Sequence, residues 1–407
     1  MDKKKVFEYL SNRGLIAQTI FPDELKDLVN NKKIKFYIGF DPTADSLHIG
    51  HLLTLRVAHI LQKHGHQPYV ILGGGTGYIG DPTGRTDMRK MLSTNDINGY
   101  VTNFQKQIKQ FLDFSGENKA IILNNADWLL NLKWIDILRQ IGQHISVNKM
   151  LSTDAYKSRW ERGLTFLELN YMVMQGYDFL YLNQNYDVAL QLGGNDQWSN
   201  IIAGVDLIRR IELKTAYGMT LTLLTKSDGT KIGKTASGAL WLDPNKTSPY
   251  SFYQYWINVD DKELKKLFLM LTDFEEEEIN QIVNKCGKDI VETKQLLAYT
   301  LTKMVHGKNA ADNAKEKSIA AFSDNNIDNM PTITVNLEDY SIANLLVESQ
   351  LAKSKSEARR LILAGGISIN NTRITDPQSI LAADLVSTKY FVLHKGKKQH
   401  IKVVLKD

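Results

Sequence analysis

The fold follows from one stretch, Ile34-Lys35-Phe36-Tyr37-Ile38-Gly39-Phe40-Asp41-Pro42-Thr43-Ala44-Asp45-Ser46-Leu47-His48-Ile49-Gly50-His51. Its first seven residues alternate and are aromatic-rich, which is typical of a buried strand, and a turn cluster follows them. Apolar side chains then recur at helical spacing as far as about Lys63, and residues 68–72 predict a second strand. This order of elements predicts a βαβ unit.

The rest of the chain extends this unit into a larger domain and adds three more segments. Further strands are predicted at residues 187–192 and 219–224, with helical stretches between them. Such alternation indicates an α/β fold, a Rossmann-like doubly wound parallel sheet, over residues 1–245. The pattern then predicts an all-α domain, a polar linker containing a proline, and a small α+β module, at residues 246–322, 323–340 and 341–407.

Length and composition exclude several classes of protein. The chain has 407 residues, 43% of them hydrophobic, and only 8 prolines and 27 glycines, which excludes disordered and collagen-like chains. A single cysteine, Cys286, excludes an intramolecular disulfide and a cysteine-based metal cluster. Charged side chains within the first ten residues argue against a signal peptide, and no apolar run is long enough for a membrane span. We therefore expect a cytoplasmic protein that does not enter a membrane.

Positive charge is concentrated in the last segment. Residues 341–407 contain 11 lysines and arginines against 5 aspartates and glutamates, while the whole chain carries a net charge of +5. A basic terminal module on a nearly neutral body indicates a polyanionic partner, although an ordinary solvated face would give the same excess.

A glycine pattern suggests a dinucleotide-binding site. Gly75-Thr76-Gly77-Tyr78-Ile79-Gly80 satisfies G-x-G-x-x-G after a strand, and Asp96 lies near the spacing of a ribose-binding acid. An oxidoreductase is therefore an alternative. The sequence that follows, Asp81-Pro82-Thr83-Gly84, favours a turn where that motif requires a helix, so the context argues against it.

Polar side chains follow the first strand at the sheet edge where α/β proteins bind ligands. His48 and His51 are three residues apart at the start of a helix, where free N–H groups and the helix dipole favour an anion such as phosphate. Histidines that only cap the helix or lie on the surface would give the same sequence pattern. The other histidines lack supporting cysteines, so no metal site is predicted.

Residues 226–238 combine three glycines with three lysines after a strand. This composition predicts a mobile cationic loop that could close over a polyphosphate and neutralise the charge of a leaving group. An ordinary solvated hairpin is an equally good interpretation of the loop by itself.

A third group of polar residues lies on a predicted helix. Thr165 and Glu168 form a capping box, and Tyr171, Gln175 and Asp178 then recur at spacings of four and three. They share one helix face. That face could line a polar slot or be a solvent-facing stripe.

Five blocks of sequence resemble one family. Residues 41–51 resemble the first signature of class I aminoacyl-tRNA synthetases in its tyrosyl form, and Lys231-Ile232-Gly233-Lys234-Thr235 resembles the second signature, KMSKS, in its bacterial tyrosyl variant. Residues 73–84, 171–179 and 191–198 are also similar to the bacterial tyrosyl-tRNA synthetase family. The blocks occur in the family's order over nearly the whole chain, and this agreement outweighs the separate alternatives.

The resemblance implies attack of the tyrosine carboxylate on the α-phosphate of ATP, then transfer of tyrosine to the 3′ end of tRNA(Tyr). It implies that Thr43 and His48 bind the γ-phosphate and that Asp196 binds the ribose. The remaining residues implied for ATP binding and for the loops that close on pyrophosphate are Asp41, Gly50, His51, Arg85, Arg89, Lys231, Lys234 and Thr235. Magnesium should arrive with ATP, held mostly by phosphate oxygens and water.

The tyrosine slot is likewise implied by the resemblance. Tyr37 and Asp178 would meet the substrate phenol. Phenylalanine has no hydroxyl and would leave these buried polar groups unpaired, so the slot should exclude it. The side chains implied around the ammonium and carboxyl groups of the substrate are Asp81, Tyr171, Gln175 and Gln197.

Residues 341–370 resemble the RNA-binding module named after small-subunit ribosomal protein S-four. The cations expected on its RNA-binding helix are Lys353, Lys355, Arg359 and Arg360, before a strand-turn-strand. The resemblance also implies that the helical residues 246–322 face the anticodon side of the tRNA. It further implies a homodimer with interface helices near residues 125–165.

Two departures and two alternative functions remain. Ile232 and Gly233 replace the Met and Ser of the general second signature, which should make the loop more flexible at Gly233. Ile38 stands where family members often carry a small polar side chain near the ribose.

A tryptophanyl-tRNA synthetase shares both signatures, although Asp178 and the RNA module argue against it. The other alternative is an RNA-binding or splicing-support protein on a synthetase scaffold.

Overall fold

The computed structural model describes residues 5–83, 92–153, 156–157, 163–235, 238–284, 286–322, 330–336, 341–370, 372–378, 390–396 and 399–406. They form two compact units. The first comprises residues 1–248 and 259–293, and the second comprises residues 249–258 and 294–407. In the described part of the chain, no helix is both long and apolar enough to cross a membrane.

The first unit is built on a six-stranded sheet of order β1-β6-β5-β2-β3-β4. Its strands are β1 Ile16–Thr19, β2 Lys35–Phe40, β3 Gln67–Leu72, β4 Ile121–Asn124, β5 Val188–Gly194 and β6 Tyr217–Leu221. Five strands run parallel, and only β1 pairs antiparallel, on the edge beside β6. The predicted doubly wound parallel sheet is therefore confirmed. β6 ends three residues earlier than predicted, because residues 222–225 lead into the cationic loop.

Helices cover this sheet. Those that precede residue 212 are α1 Val6–Asn12, α2 Pro22–Asn31, α3 Ile49–Lys63, α4 Thr94–Ile108, α5 Ala126–Leu129, α6 Trp134–Gln140, α7 Val147–Leu151, α8 Phe166–Tyr186 and α9 Trp198–Ile211. Later in the chain, α11 Leu264–Leu271 and α12 Glu276–Asn284 belong to the same unit.

The predicted βαβ unit is β2-α3-β3, and it lies at the centre of the sheet. β2 pairs in parallel with β3 on one side and with β5 on the other, so that Tyr37 is in register with both Tyr69 and Gln191. Phe36 and Ile38 are fully buried on β2. Because the chain order changes direction between β2 and β5, the carboxyl ends of these strands border the crevice in which such sheets bind ligands.

Helix α8 is fixed by its cap and by close packing. Thr165 Oγ1 accepts a hydrogen bond from Glu168 N, and a Glu168 carboxylate oxygen accepts from Thr165 N, which is the predicted capping box. A Cβ on Gly204 of α9 would lie 3.0 Å from Phe179, so the two helices approach closely. On another face of α8, Tyr171 bonds Asp41 and Asp178 bonds Asn125 and Trp128. Tyr171 and Asp178 are only 5% and 4% exposed, so their shared face is buried and does not face solvent.

The second unit contains helices α10 Pro249–Ile257 and α14 Lys308–Phe322, which pack together. Helix α13 Cys286–His306 runs across the boundary between the units, which falls at residue 293. Trp256 and Phe252 are fully buried on α10. The helices predicted for residues 250–322 are therefore present, although they are divided between the two units.

A five-stranded sheet of order β11-β10-β12-β13-β9 completes the second unit. Its strands are β9 Thr332–Asn336, β10 Ile367–Ile369, β11 Thr372–Ile374, β12 Tyr390–Lys395 and β13 Gln399–Lys406. Two helices, α15 Ile342–Glu348 and α16 Lys355–Leu363, share a core with this sheet. Residues 332–336 lie within the predicted linker, yet they pair in parallel with β13 because Val335 of an alternating Thr-Ile-Thr-Val run joins this core.

Candidate active site

A cavity of about 570 Å³ opens at the carboxyl ends of the central strands of the first unit. It brings together residues from six separate parts of the sequence. The predicted site residues that line it are Tyr37, Asp41, Thr43, His48, Gly50, His51, Asp81, Tyr171, Gln175, Asp178, Asp196, Gln197, Lys231 and Lys234. Arg85 and Arg89 lie outside the described residues, as does the side chain of Thr235.

The two histidines cap helix α3 in a reciprocal arrangement. His48 Nδ1 accepts a hydrogen bond from Gly50 N at 3.1 Å, and His51 Nδ1 accepts from His48 N at 3.1 Å. The rings stack with their centroids 3.9 Å apart. Burial lowers the pKa of His48 and, together with His48, lowers the pKa of His51 well below its usual value. Both imidazoles are therefore neutral at pH 7, and because each Nδ1 accepts, each Nε2 carries the proton.

Asp41 is held by two hydroxyl groups. Thr76 Oγ1 donates to Asp41 Oδ1 at 2.7 Å, and Tyr171 Oη donates to Asp41 Oδ2 at 2.7 Å. Burial, followed by the neighbouring carboxylates, raises the pKa of Tyr171 well above its usual value, so this phenol stays protonated and donates. The contact joins a residue predicted for ATP to one predicted for tyrosine.

Asp178 is a buried carboxylate with two donors. Asn125 Nδ2 donates to Oδ2 at 2.9 Å and Trp128 Nε1 donates to Oδ1 at 2.7 Å. Burial raises the pKa of Asp178 to about 7, against the lowering effect of these bonds. The Tyr37 hydroxyl is buried without a hydrogen-bond partner among the described residues. A ligand hydroxyl in the cavity could supply what the Tyr37 oxygen lacks.

The cavity also contains one hydrogen-bonded pair of side chains and two side-chain oxygens without a partner. Gln197 Nε2 donates to Asp81 Oδ2 at 2.6 Å, which joins two residues predicted near the amino-acid substrate. The Oε1 atoms of Gln175 and Gln191 are buried and have no partner within the described chain. Buried acceptors without donors are rare in folded proteins, so their position on a cavity wall indicates a ligand that donates hydrogen bonds.

The cationic loop is a hairpin beside the cavity. Thr225 and Lys231 form an isolated β-bridge, and Lys226 N donates to Thr230 O at 2.7 Å. Lys231 and Lys234 are exposed on the cavity rim. Asp196 lies on the same cavity, where burial raises its pKa and the charge of Lys231 opposes that change.

The greater flexibility expected at Gly233 stays a prediction, and the structure gives this residue a packing role as well. Its φ is 88°, and a Cβ there would lie 2.2 Å from Cγ2 of Ile49, the first residue of α3. Its carbonyl accepts from Leu240 N at 2.7 Å. The glycine therefore lets the loop contact the start of the histidine-bearing helix, which no larger residue would allow without displacement.

Several residues that line the cavity were not predicted as site residues, among them the polar residues Thr76, Asn125 and Gln191. Asn125 follows β4 directly, so the rule that polar residues after parallel strands gather at one edge could have indicated it. Ile38, in contrast, is fully buried and is not among the residues that line the cavity.

The glycine pattern at residues 75–80 does not open a helix. Thr76–Tyr78 form a single 3₁₀ turn, and Gly80 has φ 77°. Asn125 Oδ1 accepts from Gly75 N at 2.7 Å. Asp96 instead belongs to the cap of α4, where its carboxylate accepts from Ser93. The dinucleotide interpretation therefore loses its structural basis.

The predicted RNA-binding helix is α16. Ser354 caps it by accepting from Glu357 N, and Ala358 and Ile362 are buried in the module core. The predicted cations Lys353, Lys355, Arg359 and Arg360 are all exposed. After the helix, Arg373 Nε donates to Gly365 O at 2.7 Å, which fixes β11 to the end of α16.

Comparison with known proteins agrees with this geometry. A family model for tRNA synthetases class I (W and Y) matches residues 29–323, and a model for the tyrosine--tRNA ligase SYY-like C-terminal domain matches residues 323–403. The tyrosine--tRNA ligase of Malacoplasma penetrans is 52% identical, with 100% of both chains covered. That of Clostridium botulinum (strain Loch Maree) is 51% identical over 98% of this chain and 99% of the relative.

Solved structures share the fold. A C-terminally truncated mitochondrial tyrosyl-tRNA synthetase of Aspergillus nidulans has a TM-score of 0.69 at 28% identity, covering 77% of this chain and 93% of that one. A tryptophanyl-tRNA synthetase of Encephalitozoon cuniculi has a TM-score of 0.55 at 13% identity, covering 76% and 87%, and so shows the fold alone. The C-terminal match separates the tyrosyl from the tryptophanyl branch. The chain therefore belongs to the class I tRNA synthetases, in the tyrosine--tRNA ligase family.

Proposed function

We propose that the cavity is the site of both half-reactions of a tyrosine--tRNA ligase, the activity that follows from family membership. In the first half-reaction a carboxylate oxygen of tyrosine forms a bond to the α-phosphorus of ATP, and the bond to the bridging oxygen breaks, so pyrophosphate leaves. In the second, a hydroxyl at the 3′ end of tRNA attacks the tyrosyl carbonyl and AMP leaves. Neither step needs a covalent enzyme intermediate, so alignment and charge stabilisation supply the catalysis.

The tyrosine slot lies between β2 and α8. The Tyr37 hydroxyl and the Asp178 carboxylate would meet the substrate phenol, because the first is unpaired and the second is a buried acceptor. The Gln175 oxygen is free to accept from the substrate ammonium, beside Tyr171 and Asp81. Gln197 would meet the reacting carboxyl end. Phenylalanine would leave the buried Asp178 carboxylate without one hydrogen bond that water cannot replace, so its binding is disfavoured.

Two kinds of group would act on the phosphates. Thr43 and the neutral His48 and His51 would donate hydrogen bonds to phosphate oxygens near the start of α3, where the helix dipole also favours an anion. Lys231 and Lys234 would supply positive charge on the rim beside the start of α3, where the departing pyrophosphate accumulates negative charge. Asp41 and Gly50 border the nucleotide, and Asp196 is placed to accept from ribose hydroxyls.

Magnesium fits this site as a companion of ATP. The described residues contain no group of three or more histidine, cysteine, aspartate or glutamate side chains placed to hold a metal ion. A Mg²⁺ ion here would therefore be held mainly by phosphate oxygens and water, with at most one or two carboxylates. Such an ion would offset phosphate charge during the transfer.

The tRNA and a second subunit complete the proposal. The exposed cations of α16 would contact RNA phosphates, and the helices at residues 246–322 would face the anticodon side.

Large apolar side chains are exposed around α6, and they are Leu130, Trp134, Ile135, Leu138, Val147 and Phe166. Such a cluster favours a homodimer interface near residues 125–165. We place the enzyme in the cytoplasm, as its single cysteine suggests.

One observation carries the proposal: a buried carboxylate and an unpaired phenol sit at one end of a cavity whose other end gathers two histidines and two lysines. The test is amino-acid-dependent exchange of labelled pyrophosphate into ATP, measured separately with each of the twenty amino acids. Only tyrosine should drive exchange. Exchange with tryptophan would support the other branch of the family, and no exchange at all would support a synthetase scaffold that only binds RNA.

A further inference from the structure

The cationic loop is anchored to a helix outside the cavity. Glu263, the residue before α11, is only 4% exposed. Its Oε1 accepts from Ser227 N at 2.6 Å and from Ser227 Oγ at 2.5 Å. Ser227 lies in the hairpin that ends at Lys231, so a buried carboxylate holds the loop by its backbone as well as by a side chain.

A second contact anchors the same end of the loop. Lys266, in the first turn of α11, donates from Nζ to Thr225 O at 2.7 Å. Thr225 is the bridge partner of Lys231. Two side chains of one helical turn therefore hold the two loop residues that precede and follow Lys226.

The opposite end of α11 is bound to the helix that carries the histidines. Arg56 of α3 is 6% exposed, donates from Nε to Met270 O at 3.1 Å, and contacts the carbonyl of Thr272. Its Nη2 also lies 2.8 Å from Asp273 Oδ1. Arg13, the residue after α1, donates to Leu269 O and Thr272 O at 2.8 Å each. These carbonyls at the end of a helix lack intrahelical donors, so the arginines bind them firmly.

The contacts form a continuous path between the two signatures. The path runs from His48 and His51 along α3 to Arg56, through α11, and from Glu263 to the hairpin of Lys231. All of these residues belong to the first unit. From this path we propose that Glu263 is a positioning residue, which sets the lysines of the loop against the histidines of α3 without touching a substrate.

The proposal rests on the proposed function, because it assumes that Lys231 and Lys234 act on the departing pyrophosphate. Glu263 lies behind the loop, and it is not among the residues that line the cavity. Its loss should therefore leave the tyrosine slot intact and misplace the lysines. Misplacement of a catalytic group by about 1 Å can lower a rate about 100-fold.

The test measures single-turnover adenylate formation and tyrosine affinity for Glu263→Ala in the full-length enzyme. We expect the rate to fall about 10- to 100-fold with an unchanged Kd for tyrosine. Glu263→Gln keeps the accepting Oε1 and should restore most of the rate. Glu276→Ala removes an exposed carboxylate from the first turn of α12 and should have no effect.

A double-mutant cycle distinguishes positioning from general destabilisation. If Glu263 acts through the lysines, Glu263→Ala should cost much less in a Lys234→Ala background than in the wild type. Equal, additive losses, or a parallel loss of tyrosine affinity, would overturn the proposal. If Glu263→Ala does not fold, Ser227→Ala removes one of the same hydrogen bonds at an exposed residue and should show the same dependence on Lys234.

The outcomes also separate this inference from the proposed function. If Lys234→Ala has no effect on adenylate formation, the role of the loop fails and Glu263 loses its target. If Lys234→Ala is strongly impaired while Glu263→Ala is not, only the positioning role fails.

Discussion

Asn125 donates a hydrogen bond from its side-chain amide to the Asp178 carboxylate at 2.9 Å, and its carbonyl oxygen accepts from Gly75 N at 2.7 Å. One asparagine thus links three segments of the site: the turn after β3, the residue after β4 and the middle of α8. Burial raises the pKa of Asp178, and the hydrogen bond from Asn125 lowers it, so the amide helps to keep this carboxylate ionised.

The first prediction concerns this asparagine. Asn125→Ala removes a bond that lowers the pKa of Asp178, so that pKa should rise above about 7 and the carboxyl should be protonated over more of the neutral range. A protonated carboxyl accepts the substrate phenol less well. Tyrosine affinity should therefore fall about tenfold relative to wild type at pH 7 and recover partly at pH 8.5.

Isothermal titration calorimetry with tyrosine at pH 6, 7 and 8.5 measures this effect. Asn131→Ala, which changes an exposed asparagine of the same segment, is the control. A loss of affinity that is the same at every pH would show that Asn125 matters for packing and not for the charge of Asp178.

The second prediction concerns the unpaired phenol of Tyr37. Tyr37→Phe should weaken tyrosine binding about 5- to 10-fold, since one hydrogen bond contributes about 1 kcal/mol, and should leave phenylalanine binding unchanged. The unliganded enzyme should not lose stability, because the Tyr37 hydroxyl is buried without a partner in the described structure. Competition binding and thermal unfolding measure the two effects. Tyr69→Phe, at the neighbouring register position outside the cavity lining, should leave the ratio of tyrosine to phenylalanine affinity as it is in wild type.

Local patterns predicted the elements that carry the site, for physical reasons. The strand at β2 and the start of α3 depend on alternation, turn residues and helix periodicity, all of which act over a few residues. The common face of Tyr171, Gln175 and Asp178 follows from 3.6 residues per turn. The sequence alone could not decide whether that face was buried, because the partner of Tyr171 on it, Asp41, lies 130 positions away in the chain.

Contacts between distant residues were the part that the sequence could not predict. Asn125 reaches Asp178 across 53 positions, and Glu263 reaches Ser227 across 36. β9 was placed in a linker because its pairing partner β13 lies about 70 residues further on. In each case the residue type permits many roles, and only the tertiary structure selects one.

The third prediction concerns Lys234. Lys234→Ala should slow adenylate formation about 100-fold or more while changing the Kd for tyrosine little, because negative charge builds on pyrophosphate mainly as the bond breaks. Rapid-quench kinetics and tyrosine titration measure the two quantities. Lys226→Ala removes the same charge from the same hairpin at an exposed residue that does not line the cavity. If both variants lose rate equally, the effect is one of general charge and not of position.

The fourth prediction compares two glycines of the loop. Gly233 and Gly229 have φ of 88° and 81°, so alanine is strained at both, by about 1 kcal/mol. A Cβ at Gly229 meets nothing within 4 Å, whereas one at Gly233 meets Ile49 at 2.2 Å. Gly233→Ala should therefore push the loop away from α3 and reduce pyrophosphate exchange at least tenfold more than Gly229→Ala does. Similar activities in the two variants would contradict a contact requirement at Gly233.

The fifth prediction concerns the exposed cations of α16. Reversing Arg359 and Arg360 to glutamate should raise the KM for tRNA about tenfold or more, because phosphate contacts dominate the affinity of such a surface. The dependence of tRNA affinity on salt should become shallower, by about one unit of log–log slope for each lost contact. Tyrosine-dependent pyrophosphate exchange should be unchanged, since the cavity lies in the other compact unit.

Filter binding across a salt series and aminoacylation assays measure these quantities. Lys106→Glu with Lys109→Glu makes the same change of net charge at exposed positions at the end of α4, so it controls for long-range electrostatics. If the α4 variant weakens tRNA binding as much as the α16 variant, the effect belongs to the overall charge of the protein. If only the α16 variant does so, and its salt dependence is shallower, the two arginines contact phosphate directly. An unchanged KM in the α16 variant would place the RNA contacts of the module elsewhere.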